Sequence, residues 1–122
     1  MSDNALKEKS YQFSLDIIRL YQYLKETQKE FILSKQLLRS GTSIGANIVE
    51  ANAAQSKKEF IAKLNISLKE AKESEYWLKL LKDSGYITKH HFLDKVQELS
   101  KLLTSIILKT KENLQKAKES QN

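Results

Sequence analysis

The chain has 122 residues with no Cys, no Pro, three Gly, one Trp and 30% charged side chains. That length makes a single domain able to bury roughly two thirds of its unfolded surface, and the shortage of Pro and Gly favours long helices, so an all-α fold is expected. The lack of Cys excludes disulfides, thiolate metal sites and cysteine nucleophiles. With no apolar amino-terminal stretch and no run long enough to span a bilayer, the sequence reads as a soluble cytoplasmic protein.

The formal charge of +6 is unevenly placed. Residues 1–53 carry 7 basic and 6 acidic groups, a net of +1, and residues 54–122 carry 14 and 9, a net of +5. A basic second half suits a polyanion partner, although lysine-rich solvent faces also serve solubility.

Leu6, Ser10, Phe13, Ile17, Leu20 and Leu24 recur in steps of three and four, predicting a first helix over about 5–26 with one buried stripe. After the polar break Thr27 to Glu30, a second helix is predicted over 31–52. At about 100° per residue its Leu37, Gly41, Ile44, Ile48 and Ala51 share one face, and Arg39, Ser43, Asn47 and Glu50 share another. Gly41 and Gly45 remove two side chains from one strip and invite the close approach of another helix, at a propensity cost of about 1 kcal/mol each.

Ser56 followed by Glu59 makes a capping box, so a third helix is predicted from Lys57 to residue 84, ending at a left-handed Gly85 with Tyr86 and Ile87 folding back. One face is expected to hold Phe60, Leu64, Leu68, Ala71, Glu75 and Leu78, and a second Ile66, Trp77, Leu80 and Leu81. Two apolar sides imply more than one neighbour. Thr88 is expected to cap a fourth helix over 88–118, striped by Phe92, Val96, Leu99, Leu103, Ile106, Ile107 and Leu114, leaving residues 119–122 to fray. Four amphipathic helices with short connections predict an antiparallel up-down-up-down four-helix bundle.

Three blocks carry a resemblance: Arg39-Ser40-Gly41-Thr42-Ser43-Ile44-Gly45-Ala46-Asn47 with Glu50-Ala51, then Ser56-Lys57-Lys58-Glu59-Phe60-Ile61, then Glu70-Ala71 with Glu73 and Tyr76-Trp77-Leu78. Together they resemble the bacterial four-helix bundle proteins encoded in intervening sequences of 23S ribosomal RNA genes, over roughly Phe13 to Ile107. The resemblance implies a homopentamer of antiparallel bundles with no established enzymatic activity and a suspected nucleic-acid role. It does not imply a ribosome component. The same fold is similar to the accessory protein of diversity-generating retroelements, a basic pentamer that binds nucleic acid beside a reverse transcriptase. The Ser40 to Asn47 block fits the intervening-sequence group better.

The polar face Arg39, Ser43, Asn47 and Glu50 admits two readings, a ligand site or a surface that hydrogen-bonds a neighbouring helix or subunit. Glu70 and Glu73 are placed to meet a cation, for which Arg39 is the candidate. A di-iron bundle would need Glu-x-x-His pairs, and neither His90 nor His91 has a Glu three residues earlier. Those histidines are expected to be solvated or to cap. No His follows Arg19 or Arg39 closely enough for an Arg/His ribonuclease pair, and no metal or cofactor is expected.

Trp77 and Tyr76 admit base stacking or packing, with packing favoured most for Trp77. Lys58, Lys69, Lys72 and Lys79 lie away from both apolar faces of the third helix and are the expected phosphate contacts, without base readout. Self-association is expected through faces holding Gly41, Gly45, Trp77 and Leu80, with five subunits implied by the resemblance. The function expected is a non-enzymatic oligomer with RNA or DNA as partner; the alternative is a protein-binding scaffold with no nucleic-acid partner.

Overall fold

A computed structural model describes residues 2–120, with side chains from Ala5 onward. Four helices fill them: α1 (Ser2–Glu26), α2 (Leu33–Asn52), α3 (Lys57–Asp83) and α4 (His91–Ser120). Among these residues there is no strand, and no helix is long and apolar enough to cross a membrane. Neighbouring helices pack in the order α1, α2, α3, α4 and back to α1, with the α2/α3 seam most extensive and no close backbone approach between the diagonal pairs. One core of leucine, isoleucine, valine, alanine and phenylalanine side chains runs through the middle.

The stripe on α1 is buried as its spacing predicts, with Ser10 among Leu6, Phe13, Ile17, Leu20 and Leu24. On α2, Leu37, Gly41, Ile44, Ile48 and Ala51 are buried together. The α2/α3 seam differs from its expected composition. Buried positions on α3 are Ile61, Leu64, Ser67, Ala71, Ser74, Leu78 and Leu81. Leu81 therefore belongs to the core face, Ile66 is exposed, and Phe60, Leu68, Trp77 and Leu80 are half-buried. Two serines take the place of larger residues because they settle polar groups where the helices meet: Ser67 Oγ donates to the Ile44 carbonyl (2.8 Å), and Ser74 Oγ donates to Ser40 Oγ (2.9 Å).

Connections explain where helix bounds shift. α2 begins at Leu33, two residues later than expected, because Glu30 is only 8% exposed and its carboxylate accepts from the N–H groups of Ile32 (3.1 Å), Leu33 (3.0 Å) and Ser34 (2.6 Å). Those are free donors at a helix start. Lys29 takes a left-handed φ of 56° to bring Glu30 there.

Ser56 caps α3, its Oγ accepting from the Glu59 N–H (3.0 Å), while the Glu59 carboxylate accepts from Gln55 N–H (3.1 Å), one residue earlier than the usual box. α3 stops at Gly85, φ 89°, where Tyr86 N–H donates to the Leu81 carbonyl (2.9 Å) and Gly85 N–H to Lys82 (3.1 Å), the paired bonds of a Schellman turn.

Thr88 does not cap α4. The Schellman turn drives Ile87 into the core, so three further residues carry the chain out to a helix that opens at His91, where Asp94 N–H donates to the His90 carbonyl (3.1 Å). Glu119 and Ser120 are helical instead of frayed, and Gln121 and Asn122 lie outside the described residues.

Candidate functional site

The signature residues of α2 and α3 divide into three groups with different work. The first is an ion network. Arg39 donates to Glu70 through both terminal nitrogens (Nη1 to Oε2 and Nη2 to Oε1, each 3.2 Å), and Nη2 also donates to Glu73 Oε2. The same Glu73 oxygen accepts from the Trp77 indole N–H (3.1 Å). A planar guanidinium is suited to this forked contact. Trp77 and Arg39 hold the Glu73 carboxyl below its ordinary range against the opposing effect of burial. Bonds from Arg39 to Glu70 and Glu73 raise the already high guanidinium pKa. The sequence-based pairing of Arg39 with the two glutamates is what the structure contains.

Within the chain, Ser43 and Asn47 on the same polar face of α2 turn back on their own helix. Ser43 Oγ donates to the Arg39 carbonyl (2.6 Å) and Asn47 Nδ2 to the Ser43 carbonyl (2.8 Å), each four residues back on the same helix. Such short polar side chains compete for nearby backbone carbonyls. Glu50 does cross to α3, accepting from Lys63 Nζ (2.8 Å), a partner that the sequence reading passed over. Glu50 raises the lysine's pKa, first by that hydrogen bond and then by its charge.

The second group is the glycine strip, and it faces α1 of the same chain. A Cβ at Gly41 would stand 3.0 Å from Ile17 Cγ2, and one at Gly45 would stand 3.4 Å from Ser10 Oγ and 3.5 Å from the Ser10 carbonyl. The expected close helix approach is present, and within the chain it is α1 that supplies it. Trp77 packs against the core, in edge contact with Tyr76 (ring centroids 5.2 Å), a residue that is 57% exposed.

The third group is the lysine stripe. Lys58, Lys69, Lys72 and Lys79 are all exposed. None of the four enters an ion pair among the described residues. At about 100° per residue they share a sector of roughly 80° on α3 with Ile61, Asn65, Tyr76 and, beyond Lys79, Asp83. From Lys58 to Lys79 the stripe is roughly 32 Å long at 1.5 Å per residue. Its charges are free to meet a chain of phosphates.

Among the described residues no cluster of His, Asp and Glu is arranged to hold a metal. His90 and His91 are exposed at the start of α4, His90 lying 3.6 Å from Asp94 and His91 tilted over Phe92. Sequence reasoning missed Glu30 and Ser74. Glu30 was read only as part of a polar break, while Ser74 has a legible signal in its seven-residue spacing from Ser67, on the face of Ala71 and Leu78.

No protein of curated function is similar enough to match. A solved structure from Bacteroides thetaiotaomicron VPI-5482, described as a protein of unknown function from the S23 ribosomal protein family, is 55% identical, with a TM-score of 0.85 over 88% of this chain and 98% of its own. The family model for the 23S rRNA-intervening sequence protein matches residues 2–106. With that match over most of its length, the chain belongs to the 23S rRNA-intervening sequence protein family.

Proposed function

We propose that this protein is a non-enzymatic, self-assembling bundle of the cytoplasm that holds RNA or DNA on the outer face of α3. The observation that carries the reading is the stripe of Lys58, Lys69, Lys72 and Lys79, exposed and without ion-pair partners among the described residues. Contacts from such a stripe go to phosphates and carry little sequence preference. Enzymatic use of the paired carboxylates is disfavoured by their engagement: Arg39 grips both, and Glu73 is held in its ionised form.

The bundle is read as antiparallel up-down-up-down. Supporting this, residue numbers rise on α2 as they fall on α3 across Ser40 with Ser74, Ile44 with Ser67 and Glu50 with Lys63. Asp16 with Lys95 and Lys9 with Glu98 follow the same sense between α1 and α4. Assembly into a ring of five is taken from the family resemblance. A ring would repeat the lysine stripe on every subunit and raise avidity by effective concentration.

A protein-binding scaffold is the second reading, favoured by a groove of about 990 Å³ between α1 and α2 bordered by the exposed Tyr11, Ile18 and Val49. Electrophoretic retardation of mixed RNA and DNA, alongside light scattering for subunit number, separates the two. Retardation that falls with salt supports the first reading. Its absence at low salt leaves the scaffold.

A further inference from the structure

At the end of the bundle where α1 finishes and α3 turns into α4, a cleft of about 520 Å³ opens, within the roughly 300–1,000 Å³ of small-molecule sites. Arg19, Tyr23, Tyr86, Lys89, His91 and Phe92 line it, together with the carboxylate-bearing Asp16. Tyr86 and Phe92 pack against the core and seal the bundle end. Tyr23 and His91 have no such role: both lie outside the core cluster, and Tyr23 is 43% exposed. Gln28 Nε2 donates to the Tyr23 hydroxyl (2.7 Å), tethering the ring to the α1/α2 turn. Across the cleft the Schellman turn fixes Tyr86, and Gly85 leaves open space beside its own backbone.

The charges around these rings favour an anion. Lys89 is exposed and has no ion-pair partner among the described residues. Arg19, with its side chain 70% exposed, has one carboxylate near, Asp16 at 3.5 Å, and Lys95 holds that carboxylate more closely at 2.7 Å. An aromatic face flanked by Lys89 and by an arginine held only at 3.5 Å by a carboxylate shared with Lys95 has the chemistry of a stacking platform for a base with its phosphates alongside. Duplex bases are already stacked on one another and cannot enter a concave cleft.

We infer that this cleft takes an unpaired base of single-stranded nucleic acid, stacked on Tyr23 with its phosphates toward Arg19 and Lys89. The inference rests on the nucleic-acid reading above and adds to it a preference for single strands. Lys79 stands six residues before Gly85, at the α3 end that leads into the cleft.

Fluorescence anisotropy with three labelled probes of equal length at one salt concentration tests it: a single strand, its duplex and an abasic single strand that keeps the phosphates. The protein should bind the single strand about tenfold more tightly than the abasic strand, within the range of stacking effects. Tyr23→Ala, at an exposed position, should remove that preference, and Tyr23→Phe, which keeps the ring, should restore it. Equal binding of the single and abasic strands, or a preference that survives Tyr23→Ala, overturns the inference while the phosphate-binding reading stands. Binding to none of the probes overturns both.

Discussion

Ile17 occupies the space that Gly41 leaves empty, with its Cγ2 3.0 Å from where a Cβ would stand. Ile17 is fully buried and β-branched, so it has little rotamer freedom to retreat. Gly41→Ala should therefore destabilise, with overpacking of about 1–3 kcal/mol exceeding the helix-propensity gain of about 1 kcal/mol. At Gly45 the nearest neighbours are at 3.4–3.5 Å, ordinary contact distance, and two of them are serine hydroxyls. Gly45→Ala should raise stability by up to about 1 kcal/mol. Thermal melts of the two variants should move in opposite directions.

The ion network predicts a pH effect visible through the chain's single Trp. Bonds from Trp77 and Arg39 depress the Glu73 pKa, so their stabilisation is complete above the ordinary glutamate value and is lost as pH falls through the lower, folded-state value. Trp77 fluorescence should change with a midpoint below the ordinary glutamate value. Arg39→Ala should move that midpoint upward. Because the Arg39 side chain is 51% exposed, its coupling to Glu70 should be modest, about 1 kcal/mol or less in a double-mutant cycle, and should shrink with added salt.

Glu30 is the cap of α2. Burial pushes its carboxyl pKa up, but the bonds from the Leu33, Ser34 and Ile32 N–H groups and the Ser34 hydroxyl together outweigh that, leaving it lowered. The stabilisation is present above the ordinary glutamate range and lost as pH falls below it. Glu30→Ala should cost about 1–2 kcal/mol at neutral pH, the upper range for a lost helix cap. Denaturant unfolding at pH 7 and in the acid range should show that cost shrinking as pH falls.

Two buried serines predict opposite outcomes. Ser74→Ala removes a bond to Ser40 at the α2/α3 seam and should cost about 1 kcal/mol. Ser100 is buried on α4 with no partner for its Oγ among the described residues, so Ser100→Ala should leave stability unchanged or raise it by a few tenths of a kcal/mol. Chemical denaturation of both variants checks the pair.

Periodicity made the four helices and most of the core legible, because leucine and isoleucine stripes on α1, α2 and α4 follow the burial they dictate. On α3 it misplaced Leu81 and passed over Ser67 and Ser74. Hydrophobic pattern cannot distinguish a serine that bonds across a seam from one facing water. The starts of α2 and α4 were misjudged for a related reason: Glu30 caps from outside its helix, and Ile87 is anchored by a turn whose reach only three dimensions reveal. Of the site, Arg39 with Glu70 and Glu73 was readable from charge and face alone. The glycine strip was readable as a close approach but not as an approach by α1, since spacing on one helix says nothing about which helix answers it.

Phosphate binding by the α3 lysine stripe is decided by the salt dependence of nucleic-acid binding, compared between the parent protein and the triple change Lys69→Glu, Lys72→Glu and Lys79→Glu. Binding should weaken steeply as salt rises, with a slope in log K against log salt of about −0.9 for each duplex phosphate contacted. The triple variant should lose most of that binding while retaining its helix content by circular dichroism. No binding by the parent protein at low salt, or binding whose strength and salt slope survive the three substitutions, would contradict it.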